Sequence, residues 1–599
     1  SPSASPSSTK TSFGTYLSRF LVVLRQAQDL SGSFWDKKTR PKNVLWWTIA
    51  AVFLAFCSTI YTAGISFTQR LFWNALSTKN AVAFKQMLMV YIAMVLIGPV
   101  VLVLYDWCKN SLALRWRRHL TKEFLSNYMT RLNYYKIQGS HEIDNPDQRI
   151  ADDIKQFTDQ AVSLICTIIV AFFDFIVFST ILYKIHPPLL FTLIVYATFG
   201  TSMTLFFGRR LVQLNVVQLE KEADSRFSLV RVRENAESVA FYGGEQREQS
   251  QAWGKFQGAF TNYISLLGFQ RNLEFFTTAY RYFVQVLPTI LIAPKWFAGE
   301  IQMGVISQTM FSFNHVLNDL GLIVTEFVRL SKFSAGVRRL HQMKIYMDKE
   351  HAQQADSPKF TNTFAAQGSP PALQVNDLCV FTPSLHPRSL AQNATFTIAQ
   401  GDRLLVVGES GIGKSSLMRA IAGLWPESCS GSVVRPAIED TLFLPQKPYM
   451  TLGSLRDNLL YPNVADETTI SDDEIQAALV RVNLPNVVER LGGLDVTVDI
   501  GSILSLGEQQ RLAFCRLILF KPKFVICDES TSALDMANEA RMYDIIVSDK
   551  VTCLSVGNRP SLLDHHSEVI RLLGDGKWRI ETIEEARSDS VFTVKGGDV

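Results

Sequence analysis

The most specific pattern in the chain is Gly408-Glu-Ser-Gly-Ile-Gly-Lys-Ser-Ser416. It fits the phosphate-binding loop G-x-x-x-x-G-K-[ST], and apolar runs at residues 402–407 and 417–423 flank it on either side. A buried strand that leads through such a loop into a helix is the context in which this pattern binds phosphate. The second half of the chain is therefore predicted to be an α/β domain that binds a nucleoside triphosphate.

The residues of this loop have distinct expected roles. Its glycines let successive backbone N–H groups turn toward phosphate oxygens at the positive end of a helix dipole. Lys414 is expected to reach the β and γ phosphates of ATP, and the Ser415 hydroxyl is expected to hold Mg²⁺. The predicted nucleotide contacts from this loop are Gly408, Glu409, Ser410, Gly411, Ile412, Gly413, Lys414, Ser415 and Ser416.

The first half of the chain differs in composition from the second. The chain has 599 residues and a net charge of +4, which gives no reason to expect nucleic acid as a partner. A helix that crosses a bilayer needs roughly 20 apolar residues. Six runs meet this requirement, at residues 44–67, 87–107, 162–183, 189–207, 275–297 and 303–328. We therefore predict an all-α transmembrane domain of six helices.

Positive charge alternates with the predicted spans. Residues 109–159, in the long loop after the second span, contain nine Lys or Arg, whereas the short loop at 184–188 contains one. Positively charged loops stay on the cytoplasmic side of a membrane. Both termini, both long loops and the nucleotide-binding half are therefore expected in the cytoplasm or its topological equivalent.

Composition also suggests domain boundaries. We expect an N-terminal arm at 1–42, the transmembrane domain at 43–335, a linker at 336–370, the ATP-binding domain at 371–585 and a C-terminal tail at 586–599. Residues 1–12 are rich in Ser and Pro, which is typical of disorder; they are either the remnant of an organellar transit sequence or a plain flexible tail. Eight cysteines without a C-x-x-C pair are expected to be reduced.

Two carboxylates follow a second apolar strand at residues 524–529. Asp528 suits the Mg²⁺ shell, either directly or through a water molecule. Glu529 is placed to polarise the water that attacks the γ phosphate. Gln446 lies between this strand and the phosphate loop in the chain, and it suits a sensor that contacts both Mg²⁺ and the transmembrane half.

A second anion site is predicted at residues 504–511, which read LSLGEQQR before an apolar helix. Ser505, the Gly507 N–H and the helix N-terminus favour a phosphate, and Glu508 lies in the same turn. Because a helical region separates this segment from the chain's own phosphate loop, it is expected to close over ATP held by a second copy. Asp535 is expected at the same dimer seam.

The order of these motifs resembles the ATPase domain of an ABC transporter, and one six-span domain before one ATPase domain resembles a half-transporter. Residues 145–149, 233–238, 241–245 and 445–456 are similar to subfamily D, which includes peroxisomal fatty-acyl transporters and relatives in bacteria and plastids. The stretch LSLGEQQRLAF at 504–514 resembles the bacterial and plastid branch. The resemblance implies a type IV, exporter-like fold that works as a dimer with ATP and Mg²⁺.

Three positions need separate interpretation. Leu506 replaces the first glycine of the family's LSGGQ, although Ser505 and Gly507 remain. Asn558 stands where family members usually have a histidine that contacts the γ phosphate; it either slows hydrolysis or serves as a sufficient amide donor. Phe381 is either a platform for adenine or an ordinary strand residue.

The transmembrane half contains two further sets of candidates. Residues 144–149 and 241–246 are expected to be coupling elements that contact the ATPase, as the resemblance implies. Ionisable groups inside spans cost on the order of 2.5–3.5 kcal/mol at mid-bilayer. Asp174, Arg281, His315 and Asp319 therefore either line a translocation cavity or form structural ion pairs, such as Asp174 with Arg281.

The favoured function is an ATP-driven transporter that moves an amphipathic or lipid-like cargo by alternating access. A homodimer is expected, with a heterodimer as the alternative, in a plastid membrane or else a bacterial inner or peroxisomal membrane. Two other functions stay open: a proton-coupled carrier with a regulatory ATPase domain, and an ATP-gated channel or regulator with slow hydrolysis. Cargo identity and transport direction do not follow from the residues.

Overall fold

A computed structural model describes residues 13–140, 142–325, 327–353, 360–364, 372–382, 387–425, 428–463 and 470–588. The chain divides into two compact units, with the boundary between His351 and Ala352. The first unit contains only helices among its described residues, and the second is an α/β unit.

The helices of the first unit are α1 Phe13–Trp35, α2 Val44–Ser77, α3 Ala81–Met129, α4 Asn133–Ser140, α5 Pro146–Gln148, α6 Ile154–Ile185, α7 Pro187–Glu234, α8 Ala236–Tyr242, α9 Glu245–Phe297, α10 Met303–Thr325 and α11 Phe327–Gln353. Local chemistry explains several of these boundaries. Asn80 caps α3 by accepting hydrogen bonds from the N–H groups of Val82 and Ala83. Pro187 begins α7, where its fixed φ and missing N–H cost nothing.

Each of the six predicted spans lies inside one of these helices or, for residues 303–328, begins in α10. Within the described part of the chain, three stretches are long and apolar enough to cross a membrane: Val44–Ser77, Ala81–Met129 and Pro146–Ile185. The other three predicted spans lie in α7, α9 and α10. The stretches expected as long loops are mainly helical, because α3, α7 and α9 continue without a break to lengths of 49, 48 and 53 residues.

Outside the predicted spans, α7 and α9 form a paired arm. The buried Asn262 amide donates to Gln218 Oε1 at 2.9 Å, and Lys221 Nζ donates to the Gly258 carbonyl at 3.1 Å. The two helices are joined at the tip of the arm by α8 and by Gly243, whose φ of +60° ends α8. Hydrogen bonds between neighbouring helices therefore hold this arm together away from the membrane.

The first part of the segment predicted to be a linker, residues 336–353, is helical in the structure. Residues up to Gln353 continue α11, and Val337, Leu340 and Met343 pack into the same core as Trp116 and Phe157. An apolar stripe at helical spacing keeps this segment with the first unit. Residues 360–364 form a strand of the second unit, on the far side of the boundary between His351 and Ala352.

The strands of the second unit are β1 Phe360–Phe364, β2 Leu373–Phe381, β3 Ser389–Ile398, β4 Arg403–Val407, β5 Cys429–Arg435, β6 Thr441–Leu444, β7 Phe524–Asp528, β8 Thr552–Val556, β9 Glu568–Gly574 and β10 Lys577–Glu581. Its helices are α12 Lys414–Ile421, α13 Leu455–Leu460, α14 Asp472–Arg481, α15 Val487–Arg490, α16 Ile500–Ile503, α17 Leu506–Phe520, α18 Met536–Ser548 and α19 Ile583–Ser588.

Two sheets form the frame of this unit. One sheet has the order β1-β5-β2-β3, and the other has the order β10-β9-β4-β8-β7-β6. In the larger sheet β4 and β7 both run parallel to β8, and Val406 and Asp528 both pair with Val556. The carboxyl ends of these three strands therefore lie at the same edge, which is where ligands bind in parallel α/β sheets.

Candidate nucleotide-binding site

The phosphate loop leaves the fully buried end of β4 and enters α12. Gly408, Gly411 and Gly413 have φ values of +154°, +78° and +117°, which side chains rarely tolerate. A Cβ on Gly408 would also lie 2.9 Å from the Leu572 carbonyl oxygen. Both the backbone conformation and the close approach of β9 require glycine at this position, as a loop that wraps a phosphate needs.

Lys414 begins α12 and is almost completely buried. Its ammonium donates to the carbonyl oxygens of Gly408 at 2.8 Å and Glu409 at 3.1 Å, so it lies across the loop. Burial lowers the pKa of Lys414 from its usual value, although the nearby carboxylates of Glu529 and Asp528 oppose this shift. The positive charge is thus held inside the turn where phosphates are expected.

Oxygen-bearing side chains meet beside this lysine. Ser415 Oγ donates to Asp528 Oδ1 at 2.8 Å, and Gln446 Nε2 donates to Glu529 Oε2 at 3.1 Å. Glu529 adopts a left-handed conformation with φ +50°, and its N–H donates to the Val556 carbonyl at 3.2 Å. A strained non-glycine residue at a strand end is a frequent feature of functional sites, because it aims a side chain. The structure therefore brings four of the predicted residues together.

Asn558 follows β8 and joins the same cluster. In the amide orientation that satisfies both ends, its nitrogen donates to the carbonyl oxygens of Gly408 and Gly557, each at 3.1 Å. Its oxygen then accepts from Lys414 Nζ at 3.3 Å. The amide is thus occupied by the chain's own phosphate loop and lysine.

Ser505 and Glu508 lie apart from this cluster. Ser505 caps α17 in a reciprocal box, in which its N–H donates to Glu508 Oε2 at 2.9 Å. Glu508 also pairs with Arg490 at 2.8 Å, and this pairing lowers the pKa of its carboxyl. Among the residues that the structure describes, no hydrogen bond joins this segment to the phosphate loop.

Gly507 has a steric reason to be glycine. A Cβ at this position would lie 2.9 Å from the Ala533 carbonyl oxygen, so the turn after Glu529 packs directly on the start of α17. Leu506, the departure from the family pattern, is 41% exposed. The leucine therefore replaces the family glycine at a position whose side chain points away from the packed core.

The last two predicted contacts also lie outside the cluster. Asp535 caps α18 by accepting from the Asn538 N–H at 2.7 Å, which lowers the pKa of its carboxyl. Phe381 is half-buried at the end of β2, where it pairs with Ser389. Leu390, the next residue on β3, lies 3.1 Å from where a Cβ on Gly413 would be. Phe381 is thus on a strand pair whose end contacts the phosphate loop.

Sequence reasoning did not single out the buried Gln510. Its amide donates to the Gln446 carbonyl at 2.8 Å and accepts from the Ala533 N–H at 3.1 Å. Arg559 holds the same turn by donating to the Ser532 carbonyl at 2.9 Å. Gln510 lies within the LSLGEQQR motif, but its connecting role appears only once α17 is packed against residues 444–446 and 530–534.

The candidate coupling elements are turns in the first unit. Asn145 has φ +40°, and the helical segment begins at Pro146. The buried Arg149 closes the turn by donating to the carbonyl oxygens of Asp144 at 2.9 Å and Arg339 at 2.6 Å. In the other element the exposed fractions of the Phe241 and Tyr242 side chains are 81% and 89%.

The ion pair suggested between Asp174 and Arg281 is not formed. Asp174 is buried, accepts a hydrogen bond from Thr59 and lies 2.8 Å from His315 Nε2, whereas Arg281 is exposed. Asp174 pairs with His315 because α6 packs against α10, so that the inward-facing side chains of the two helices meet.

Two family descriptions match this chain. Residues 39–297 match the family described as ABC transporter transmembrane region 2, and residues 391–532 match the family described as ABC transporter. ABC transporter D family member 2, chloroplastic, of Arabidopsis thaliana is 38% identical, over 96% of this chain and 90% of the relative. The chain belongs to the D family of ABC transporters.

Other relatives are similar to this D-family transporter over most of its length. An uncharacterized ABC transporter ATP-binding protein of Synechocystis sp. is 37% identical over 90% of this chain and 82% of its own length. The human lysosomal cobalamin transporter ABCD4 is 27% identical over 95% of this chain and 96% of its own length. The D-family transporter is thus an ATP-binding, ATP-hydrolysing membrane protein. With one membrane region and one ATPase region it is a half-transporter, which implies dimerisation.

Proposed function

We propose that this D-family transporter acts as a homodimer with two ATP sites, each built from the phosphate loop of one copy and the Ser505–Gly507 turn of the other. The observation that carries the proposal is that, among the described residues, no hydrogen bond joins the Ser505–Gly507 turn to the chain's own phosphate loop. Ser505 is exposed and makes its capping contacts only with Glu508. The free N-terminal N–H groups of a 15-residue helix favour a phosphate from outside the chain.

Within each site the residues have separate tasks. The loop from Gly408 to Ser416 holds the phosphates, and Lys414 supplies positive charge to the β and γ groups. Gln446 orients Glu529 by a hydrogen bond. The Glu529 carboxylate then acts as the general base that accepts the proton of the attacking water. Phe381 stacks on adenine. Asp535 and Glu508 hold the turns that close over the nucleotide.

Ser415, Asp528 and Gln446 suit Mg²⁺. Their hydroxyl, carboxylate and amide oxygens are the hard ligands that this ion prefers, and Ser415 and Asp528 are already in hydrogen-bond contact. When bound, Mg²⁺ would neutralise charge on the β and γ phosphates. These residues form one connected site with Lys414 and Glu529, which favours ATP-driven transport over a proton-coupled carrier or an ATP-gated channel.

Paired chains carrying different substitutions test the composite site. Lys414→Met and Gly507→Asp should each leave a homodimer close to background ATP turnover. A mixed pair, isolated with two affinity tags, contains one site with both defects and one intact site. It should therefore recover about half of the wild-type turnover if the two sites act independently. The measurement is phosphate release in lipid nanodiscs, with a doubly tagged wild-type pair as control.

If each chain instead builds its own complete site, both sites of the mixed pair contain one defect. Background turnover in the mixed pair would then reject the composite arrangement. The result is informative even if the Gly507→Asp chain is partly misfolded, because ATP binding to the Gly507→Asp homodimer, whose phosphate loop is intact, is measured alongside.

Asn558→His is expected to raise ATP turnover about fivefold. Asn558 is neutral and its amide is engaged by Gly408, Gly557 and Lys414. We therefore expect slow hydrolysis in the native protein. A charged imidazole donor gains about 1 kcal/mol over a neutral one, and that difference corresponds to roughly fivefold in rate. Phosphate release at saturating ATP measures the effect. Equal turnover of the two proteins would show that the amide donor suffices.

The cargo we propose is amphipathic or lipid-like, and the location is a plastid membrane, with a bacterial inner membrane as the alternative. Support comes from the relatives: the Arabidopsis relative is named chloroplastic, and the human one is named a cobalamin transporter. Reconstitution into liposomes with acyl-CoA, cobalamin and peptide cargoes tests this. A cargo that both stimulates ATP turnover and accumulates identifies the class, whereas stimulation by the peptide alone would contradict a lipid-like cargo.

A further inference from the structure

Helices α2 and α10 pack against each other in one antiparallel register. At one end the Gly304 N–H donates to Asn74 Oδ1 at 2.7 Å, and one turn further Arg70 donates to Gln308 Oε1 at 3.3 Å. The backbones approach so closely that a Cβ on Gly304 would overlap the Arg70 carbonyl. The same register continued along both helices brings Ser66 opposite Ser312 and Thr59 to the level of Asp319.

Polar residues follow this line of contact. We call them the polar seam: Thr59, Ser66 and Arg70 on α2, Gln308, Ser312, His315 and Asp319 on α10, and Asp174 on α6. The spacing of four, three and four residues along α10 puts its members on one helical face. Thr59, Ser66, Asp174, Gln308 and Ser312 are buried. A buried polar face between predicted spans is costly and therefore marks a candidate functional site.

One end of the seam gathers metal-ligand atoms. A carboxylate oxygen of Asp174, a carboxylate oxygen of Asp319 and a ring nitrogen of His315 all lie within 4.8 Å of one another. His315 Nε2 is 2.8 Å from Asp174 Oδ2, while Thr59 donates to the other oxygen of Asp174. Three helices thus contribute to one cluster.

Two buried oxygen atoms in or next to this cluster have no hydrogen-bond partner among the described residues. Ser312 is completely buried, lies one turn from His315 on the same face, and its Oγ has no hydrogen-bond partner in the part of the chain that the structure describes. Asp319 Oδ2 is also buried without a partner among the side chains that the structure describes. Leaving such buried groups unpaired is energetically unfavourable. A ligand that accepts electron pairs would satisfy these oxygens.

Charge indicates which ligand fits. Two carboxyl groups and one histidine can supply a net negative charge to a bound cation, and Arg70 is engaged with Gln308 further along the seam. A nitrogen ligand together with carboxylate oxygens suits borderline divalent cations such as Zn²⁺, Mn²⁺ or Fe²⁺. Such ions sit about 2.0–2.2 Å from their ligands, a distance that a cluster of this size can provide.

We propose that Asp174, His315 and Asp319 bind one divalent transition-metal cation in the membrane domain. The cation would connect α6 to α10 directly, and α2 through Thr59. It would thereby hold three helices of the membrane domain in the arrangement described here.

Titration with Co²⁺, a coloured probe for such sites, tests the proposal. The full chain, free of affinity tags, nucleotide and bound metal, is titrated in lipid nanodiscs while visible absorption is recorded. Wild type should bind one Co²⁺ per chain with the spectrum of a nitrogen–oxygen site. Asp174→Asn and His315→Gln should each weaken binding at least about 100-fold, since even residues behind a metal ligand are worth roughly 10–100-fold.

His119→Gln is the matched control, because His119 lies 3.8 Å from Glu123 on α3, outside the seam. It should bind Co²⁺ like wild type. ATP affinity of each variant reports folding, and Asp319→Asn, which removes the third ligand, should also weaken Co²⁺ binding. Equal binding by all variants would overturn the proposal. So would an infrared carboxylic-acid band, absent in Asp319→Asn, that persists in wild type at saturating Co²⁺, since the Asp319 carboxyl would then keep its proton instead of binding the metal.

Discussion

Replacing Glu529 with glutamine is expected to lower ATP turnover by about 10²- to 10⁴-fold, the usual contribution of a positioned general base. The amide keeps the size of the side chain and its contact with Gln446, but it cannot take a proton from water. ATP affinity should change little, because Glu529 does not belong to the phosphate loop. Phosphate release and equilibrium ATP binding, measured on the same nanodisc sample, separate these two effects.

Glu439→Gln serves as the matched control, since Glu439 is an exposed glutamate outside the site. It should match wild type in both measurements. Turnover that survives in Glu529→Gln would mean that another group activates the water, and the role proposed for Glu529 would be wrong.

Replacing Lys414 with methionine should act on binding itself. The buried ammonium is the charge that the loop presents to the phosphates, and the substitution also removes its bonds to the Gly408 and Glu409 carbonyls. Charge-assisted hydrogen bonds contribute about 1.5–3 kcal/mol each, so loss of one or two should weaken ATP binding by about tenfold or more. A fluorescent ATP analogue, titrated in the presence of Mg²⁺, measures the affinity.

Lys577→Met, which changes an exposed lysine at the start of β10, controls for the loss of one positive charge. Unchanged ATP affinity in Lys414→Met would place the phosphates elsewhere. Together the two substitutions distinguish a site that binds ATP without hydrolysing it from a site that cannot bind it.

The sequence predicted the candidate site best where the functional residues are close together in the chain. The strand, glycine loop and helix around residues 402–423 follow one another in the chain, so periodicity and turn chemistry identified them. The carboxylates after β7 were predictable for the same reason. Their meeting with Ser415 follows from the rule that parallel strands share one carboxyl edge.

Features that depend on how distant elements pack were not predictable. Periodicity puts His315 and Asp319 on one face of α10, but it does not predict which helix that face contacts. The pairing of Asp174 with His315 rather than Arg281 therefore became visible only in the structure. Strand β1, FTNTF, has no clear apolar alternation, and only its parallel pairing with residues 431–435 makes it a strand. The bridging role of Gln510 likewise requires three separated segments to be in place.

The length of the α7–α9 arm has a mechanical consequence. At 1.5 Å per residue the 53 residues of α9 span about 80 Å, of which a bilayer's hydrocarbon occupies about 30 Å. The remaining 50 Å or so acts as a lever, stiffened by the Asn262–Gln218 bond. Tilting it by about five degrees at the membrane displaces the tip near Phe241 by about 4 Å. A rearrangement that leaves the packing of the membrane helices intact can therefore displace the tip of the arm by about 4 Å.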